Sequence, residues 1–320
     1  MRAIQIPRFG APGVMKVVDA PDPTPDDKHP LIDVHAAGVN FADLMMRMGL
    51  YPEAPPCPFV PGYEVAGTLA DGRRVVAFTR FGGYAEKVVA PTRGVVPIPD
   101  SMTFEEGAAI PVNYSTAWAA LVHLARIRRG DAVLIEHAAG GVGIAAIQFA
   151  KQAGAVIYGV TSSALKAEYI KSMGASPIIR GQKWPEGLDI ILDPTGPFAL
   201  DRDLKALAPG GRVILFGASD FVEGPTRKAI KTAWKWWRRP MIDPMQLMNH
   251  NKGVFGLNMM RFADSHELMT TCIAEITKGI QDGWLKPRVD RTFPLAEAGG
   301  AHTWLQERRN VGKVILRVKP

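Results

Sequence analysis

The stretch Ala132–Gly154, AVLIEHAAGGVGIAAIQFAKQAG, limits what this chain can fold into more than any other. Five residues of buried-strand type, Ala132 to Glu136, enter a tight turn, His137 to Gly143, that opens a small-residue helix ending at Gly154. A backbone that leaves a parallel strand, turns sharply and starts a helix aims N–H groups and the positive end of the helix dipole at one spot, which suits a pyrophosphate. Gly140 and Gly143 take the second and third glycine places of a G-x-G-x-x-G pattern, and Ala138 stands in the first. Glycine-rich turns are common, so the flanks carry the reading. An apolar strand precedes the turn, Ile144, Ile147 and Phe149 make the helix amphipathic, and a second strand, Val156 to Val160, follows at βαβ distance.

The rest of the chain sorts around this unit. From Met1 to about Val112, short strands alternate with proline and glycine: Ala3–Ile6, Val14–Val18, Leu31–Ala36, Glu64–Leu69, Arg74–Thr79 and Tyr84–Val89. One short helix, Phe41–Met48, interrupts them, and Ser101 with Glu105 and Glu106 signals another helix start between Asp100 and Pro111. From Asn113 to Leu257 helices and strands alternate: helices Ser115–Ala125, Val142–Ala153 and Leu165–Met173, and strands including Pro177–Ile179, Leu188–Asp193, Arg212–Gly217 and Gly253–Leu257. Such alternation implies an α/β, doubly wound parallel sheet with its ligand at the carboxyl ends of the strands. The tail returns to β character and closes the first domain. The expected division is 1–112 with 258–320, and a cofactor-binding domain, 113–257, inserted between them.

Composition removes several alternatives. Among 320 residues there are two cysteines, Cys57 and Cys272, far apart and without metal spacing, so neither a disulfide framework nor a structural zinc lobe is expected. No window approaches the ~20 apolar residues of a membrane span, and the first residues have no signal-like apolar core. A cytoplasmic location is expected. The net charge of +7 suits an anionic ligand, and a phosphate-rich cofactor meets part of it.

The chain resembles the medium-chain dehydrogenase/reductase superfamily, within it the zinc-free quinone oxidoreductases, and among these the homologues of the vesicle amine transport protein. The resemblance rests on AAGVNFADLMMRMGLYP (36–52), PVNYSTAWAAL (111–121), HAAGGVGIAAIQFA (137–150), LDIILDPTG (188–196), the 224–240 stretch with its paired tryptophans, and ERRNVGKVIL (307–316). It implies a Rossmann sheet inserted into a GroES-like, mostly β catalytic domain. The zinc branch carries its ligands in G-V-C-H-x-D and P-G-H-E segments and in a cysteine before an S-T motif. Here those places read Gly38-Val39-Asn40-Phe41-Ala42-Asp43, Pro61-Gly62-Tyr63-Glu64 and Val112, side chains that do not build the N/S shell of a catalytic zinc. Without a Lewis acid the hydride must go to an acceptor already electrophilic, a quinone or an α,β-unsaturated carbonyl. The resemblance puts Asn40 and Tyr51 beside the reacting groups, where an amide and a phenol suit a developing oxyanion.

The end of the second strand bears on the cofactor. An acidic residue there would accept hydrogen bonds from ribose hydroxyls of NAD. This chain has Thr161, Ser162 and Ser163, with Lys166 further on, so NADP(H) is favoured. Quinone oxidoreductases have a lysine at the place of Lys166, and a tyrosine after the next strand where this chain has Arg180. The resemblance also points to the turn residues Ala139, Gly140, Gly141 and Val142, to Thr116, to Phe216 and Gly217, to Phe255, Gly256 and Leu257, and to Asn310 as cofactor contacts. It implies a homodimer paired through the sixth strands. His137 adjoins the turn, with no acid–base partner visible in the sequence.

Arg227–Arg239, RKAIKTAWKWWRR, interleaves basic residues with Trp234, Trp236 and Trp237. It reads as a lid or subunit contact, with an anionic membrane surface as the alternative partner and RNA as a weaker one.

Overall fold

The computed structural model describes residues 1–222, 224, 234 and 236–319. They fall into two compact units. The first contains Met1–Val112, Val222, Gly224 and 287–319, and the second contains Asn113–Phe221, Trp234 and 236–286. The expected boundary after Leu257 thus lies inside the second unit. A helix beyond it accounts for the difference: His266–Gln281 belongs to the second unit, where Glu275 accepts the indole N–H of Trp118 at 2.7 Å.

In the first unit β1 (Arg2–Gln5) and β2 (Lys16–Asp19) pair antiparallel. Its main sheet holds β3 (Leu31–Val39), followed by α1 (Phe41–Arg47), then β4 (Glu64–Leu69), β5 (Arg74–Phe78), β6 (Lys87–Val89) and β7 (Val95–Pro97). Strands of alternating apolar residues pack one face together, with Ile32, Val34, Val65, Val75 and Ala77 in the core. The expected helix start near Ser101 resolves as a single turn, α2 (Phe104–Gly107). Its cap is Thr103: Thr103 Oγ1 accepts the Glu106 N–H at 3.1 Å, and the Glu106 carboxylate accepts the Thr103 N–H at 2.9 Å.

The second unit starts from α3 (Pro111–Trp118), which continues as a wider π-helical turn through Ala119–Leu124. The helix begins earlier than expected because Pro111 supplies a first-turn position where no N–H is needed. Six parallel strands follow: β8 (Ala132–Ile135), β9 (Val156–Thr161), β10 (Ser176–Ile179), β11 (Leu188–Asp193), β12 (Leu207–Leu215) and β13 (Gly253–Gly256). Their spatial order is β10-β9-β8-β11-β12-β13, the doubly wound Rossmann order with its switch point between β8 and β11. Between the strands lie α4 (Gly141–Ala153), α5 (Ala164–Ser172), α6 (Leu200–Ala206) and α7 (Pro244–His250). Small residues let α4 approach the sheet: Gly143, Ala145, Ala146 and Ala150 are buried beside Ile144, Ile147 and Phe149, and Gly154 ends the helix in the left-handed conformation. After β13 come α8 (Met259–Phe262) and α9 (His266–Gln281). The chain then returns to the first unit with β14 (Val289–Pro294), α10 (Ala298–Gln306) and β15 (Lys313–Arg317), and β15 pairs with β3.

Candidate active site

In the second unit the strand ends converge. The Ala138 N–H donates to Val160 O at 3.0 Å, the Arg180 N–H to Thr161 O at 2.7 Å, and the Glu136 N–H to Leu192 O at 3.1 Å. These bonds bring the β8 turn, Thr161 and Arg180 to one edge. Gly143 is required by packing, because a Cβ there would lie 2.6 Å from both Ala138 Cα and His137 O. Gly140 caps α4, which therefore starts at Gly141, one residue before the expected Val142. Asn113 sits against Gly141, and a Cβ on that glycine would fall 2.4 Å from Asn113 Nδ2.

Thr161 is buried, Ser162 is exposed and Lys166 is half-buried. Ser163 Oγ caps α5 by accepting the Lys166 N–H at 3.3 Å. Arg180 reaches back across the end of β9, where its Nη2 meets His137 Nε2 at 2.8 Å and Glu136 Oε2 at 3.7 Å. One reading from sequence changes here. His137 has a partner, and because arginine only donates, its Nε2 is the accepting nitrogen. A carboxylate, Glu136, also reaches this edge, from the end of the first strand. Arg202 holds it as well, at 2.9 Å, while burial pushes its acid pKa up against the pull of the two guanidinium groups.

Behind this edge two carboxylates are fully buried together. Asp193 Oδ1 accepts the Thr195 N–H at 2.6 Å, and Asp203 accepts from Arg202 at 3.0 Å. Burial, and then Asp193, push Asp203 up to about 8, so the pair keeps a proton at neutral pH. Phe216 and Gly217 follow β12 directly, and a Cβ on Gly217 would lie 2.5 Å from Pro194 O. Phe255 and Gly256 end β13, both exposed, and the Leu257 N–H donates to Leu215 O at 2.8 Å. Thr116 is buried on α3.

The first unit holds Asn40, Tyr51 and Asn310. Asn40 stands between β3 and α1, at the N-cap of the helix. Asn40 Nδ2 donates to Glu64 Oε1 at 2.8 Å, and Lys313 Nζ donates to Asn40 Oδ1 at 2.6 Å. Glu64 and Lys313 also pair directly, and Glu64 Oε2 accepts the Val112 N–H at 2.7 Å. Glu64 and Lys313 are 0% and 3% exposed, and Gly38 makes room for them, since a Cβ there would lie 2.5 Å from Glu64 Oε1. Of the places that carry zinc ligands in the zinc branch, Asn40 and Val112 are thus both tied to Glu64. Sequence reasoning missed this group, although a lysine inside the apolar strand 313–317 was its visible signal.

Asp43 anchors the loop. It accepts the Asn40 N–H at 2.8 Å, the Gly62 N–H at 3.2 Å and the Tyr84 hydroxyl at 3.2 Å. Burial pushes its carboxyl up to about 7 despite these donors and the Lys313 charge. Tyr51 is half-buried with its ring edge-on to Tyr63, centroids 6.1 Å apart, and burial raises both phenols, so they stay protonated donors. Asn310 is buried in the turn before β15 and donates to Gly312 O at 2.7 Å. Among the described residues no cluster of three or more His, Cys, Asp or Glu side chains has metal-binding geometry.

The segment Arg227–Arg239 lies largely outside the described residues; Trp234 and Trp236–Arg239 are within them. Trp234, Trp236 and Trp237 are 53%, 58% and 80% exposed, and Arg239 stacks over Trp236 at 4.3 Å. No helix among the described residues is long and apolar enough to cross a membrane.

Comparison with known proteins gives two family matches: the alcohol dehydrogenase GroES-like domain over residues 26–100 and the zinc-binding dehydrogenase family over 141–275. The mouse synaptic vesicle membrane protein VAT-1 homolog is 33% identical over 99% of this chain and 83% of its own length. Human quinone oxidoreductase is 32% identical over 99% of this chain and 97% of its own. The quinone oxidoreductase of Thermus thermophilus, solved also in complex with NADPH, superposes with a TM-score of 0.85 at 31% identity, covering 99% of this chain and all of that one.

Proposed function

Because the chain belongs to the medium-chain dehydrogenase/reductase superfamily, among its quinone oxidoreductases and VAT-1 homologues, we propose that it is a zinc-independent, NADPH-dependent reductase of quinones or α,β-unsaturated carbonyls. The observation that carries this reading is the Asn40–Glu64–Lys313 group: an amide, a carboxylate and an ammonium bonded to one another where the zinc branch holds its metal. A carbonyl substrate then meets neutral hydrogen-bond donors, which suffice only for an acceptor that is electron-poor by itself.

The residues present fit NADPH. Residues 139–142 would face the pyrophosphate with backbone N–H groups at the start of α4, while Thr161, Ser162, Lys166 and Arg180 offer hydroxyls and cations to a 2′-phosphate. Glu136 is neutralised by Arg202 and Arg180. Thr116, Phe216, Gly217, Phe255, Gly256, Leu257 and Asn310 are assigned to the remainder of the dinucleotide. Bound NADPH supplies the hydride. Asn40 and Tyr51 donate hydrogen bonds to the substrate oxygen where negative charge grows.

The test is NADPH oxidation by the purified protein with a panel of quinones and enones. Turnover with at least one is expected; tight NADPH binding with no turnover on any would reject the proposal. The expected setting is a cytoplasmic homodimer.

A second reading is favoured by the exposed indoles of Trp234, Trp236 and Trp237 beside Arg238 and Arg239: a protein that docks on anionic membrane surfaces, with reductase activity weak or vestigial. Co-sedimentation with phosphatidylserine vesicles but not phosphatidylcholine vesicles supports it. Binding indifferent to lipid charge removes it.

A further inference from the structure

The amide of Asn40 has one permitted orientation. Lys313 Nζ has only donors, so it must face Oδ1, and the Glu64 carboxylate only accepts, so it must face Nδ2. A flipped amide would set oxygen against carboxylate and NH2 against ammonium, losing two charge-assisted hydrogen bonds for two repulsive contacts. One Nδ2 hydrogen goes to Glu64, and the other makes no hydrogen bond among the described residues. As a stabiliser the pair is a poor device, since two charges at 0% and 3% exposure lose about as much hydration as they gain in attraction. As an orienting device it is effective. The ammonium on the amide oxygen also draws electron density from the nitrogen, which makes the remaining N–H a stronger donor. The device is itself fixed: the Val112 N–H holds the second Glu64 oxygen, and Gly38 leaves the carboxylate its space.

We propose that Glu64 and Lys313 are positioning residues that lock the Asn40 amide so that its second Nδ2–H is presented to the oxygen of the substrate. The role rests on the reductase reading above; the amide orientation does not. Protein labelled with 15N at asparagine tests the orientation without cofactor, with the Asn40 amide pair identified by its loss in Asn40→Ala. One Asn40 proton should resonate well downfield of its partner, and in the double variant Glu64→Gln/Lys313→Met the separation should collapse. An unchanged pair of resonances overturns the lock whether or not any quinone is reduced.

Activity with NADPH and menadione tests the consequence. The double variant should lose roughly ten- to a hundred-fold in kcat with the KM for NADPH unchanged, and the same two substitutions in an Asn40→Ala background should change kcat by less than about two-fold. Equal losses in both backgrounds mean that the pair is merely structural and overturn the proposal. If the wild-type protein does not oxidise NADPH, the reductase reading fails, and the resonances still decide the lock. Should the double variant not fold, Glu64→Gln alone carries both readouts: Lys313 still faces Oδ1, but the Nδ2–H bond at residue 64 loses its charge, so the separation of the two resonances and kcat should both fall part-way, and no change in either overturns the proposal.

Discussion

At the level of single residues, the proposed preference for NADPH rests on a few polar side chains at the end of β9. Lys166 is half-buried on the first turn of α5, close in sequence to Thr161 and Ser162. Lys166→Ala should weaken NADPH binding about ten-fold and leave NADH nearly unchanged, as read by nicotinamide fluorescence titration. Equal affinities for the two nucleotides in the wild type would sink the assignment of these residues to a 2′-phosphate. Asp203 gives a second test. Its carboxyl is raised from 3.8 to about 8, so the folded chain holds a proton that the unfolded chain releases near pH 4. The stability this proton confers is complete below the unfolded value and is lost as pH rises through the folded one, so unfolding midpoints should fall between about pH 4 and pH 8. Asp203→Asn, which cannot ionise, should flatten that slope; an identical slope in urea titrations would show that the pair does not hold the proton.

Elements explain why the turn between β8 and α4 was readable and the contacts around it were not. The β8–turn–α4 unit is local, and its constraints are steric ones within seven residues. A methyl on Gly143 would strike Ala138 and His137 backbone atoms that belong to the same turn. Gly143→Ala should therefore cost about 1–3 kcal/mol and lower nucleotide affinity together with the thermal midpoint. A midpoint equal to wild type would mean that the turn relaxes freely. The strand β15 shows the opposite case. Lys313 sits on a strand whose neighbours are buried and apolar, and its partners Asn40 and Glu64 come from β3–α1 and β4. No spacing rule links residues 40, 64 and 313. Likewise the helix start sought at Ser101 moved to Thr103, because reciprocal bonds between Thr103 and Glu106 outcompete the earlier hydroxyl.

For the whole molecule, the edge strand matters most. Among the described residues β13 ends the sheet, paired by β12, and Phe255 on it is 40% exposed. In the same unit Trp237, Met241, Met245 and Met248 are exposed as well, apolar side chains that a second subunit would cover. Sedimentation should give twice the 34.8 kDa chain mass, and Phe255→Lys should shift the population toward monomer. A monomeric wild type would leave these side chains free and favour the membrane-docking reading instead.

The sequence by itself determined the α/β class, the order of strands and helices around Ala132–Gly154, the family, and the residue types that replace zinc ligands, because each is written in short-range pattern or in local motif. Tertiary structure alone decided that Glu136 meets Arg180 beside the β8 turn, what His137 and Arg180 do to each other, where the second unit ends, and that Asn40 is held between Glu64 and Lys313. Those are contacts between residues tens to hundreds apart, made by strand pairing and burial. In a low-dielectric interior, charge and hydrogen-bond complementarity select partners by position in space, and the chain order carries no record of that.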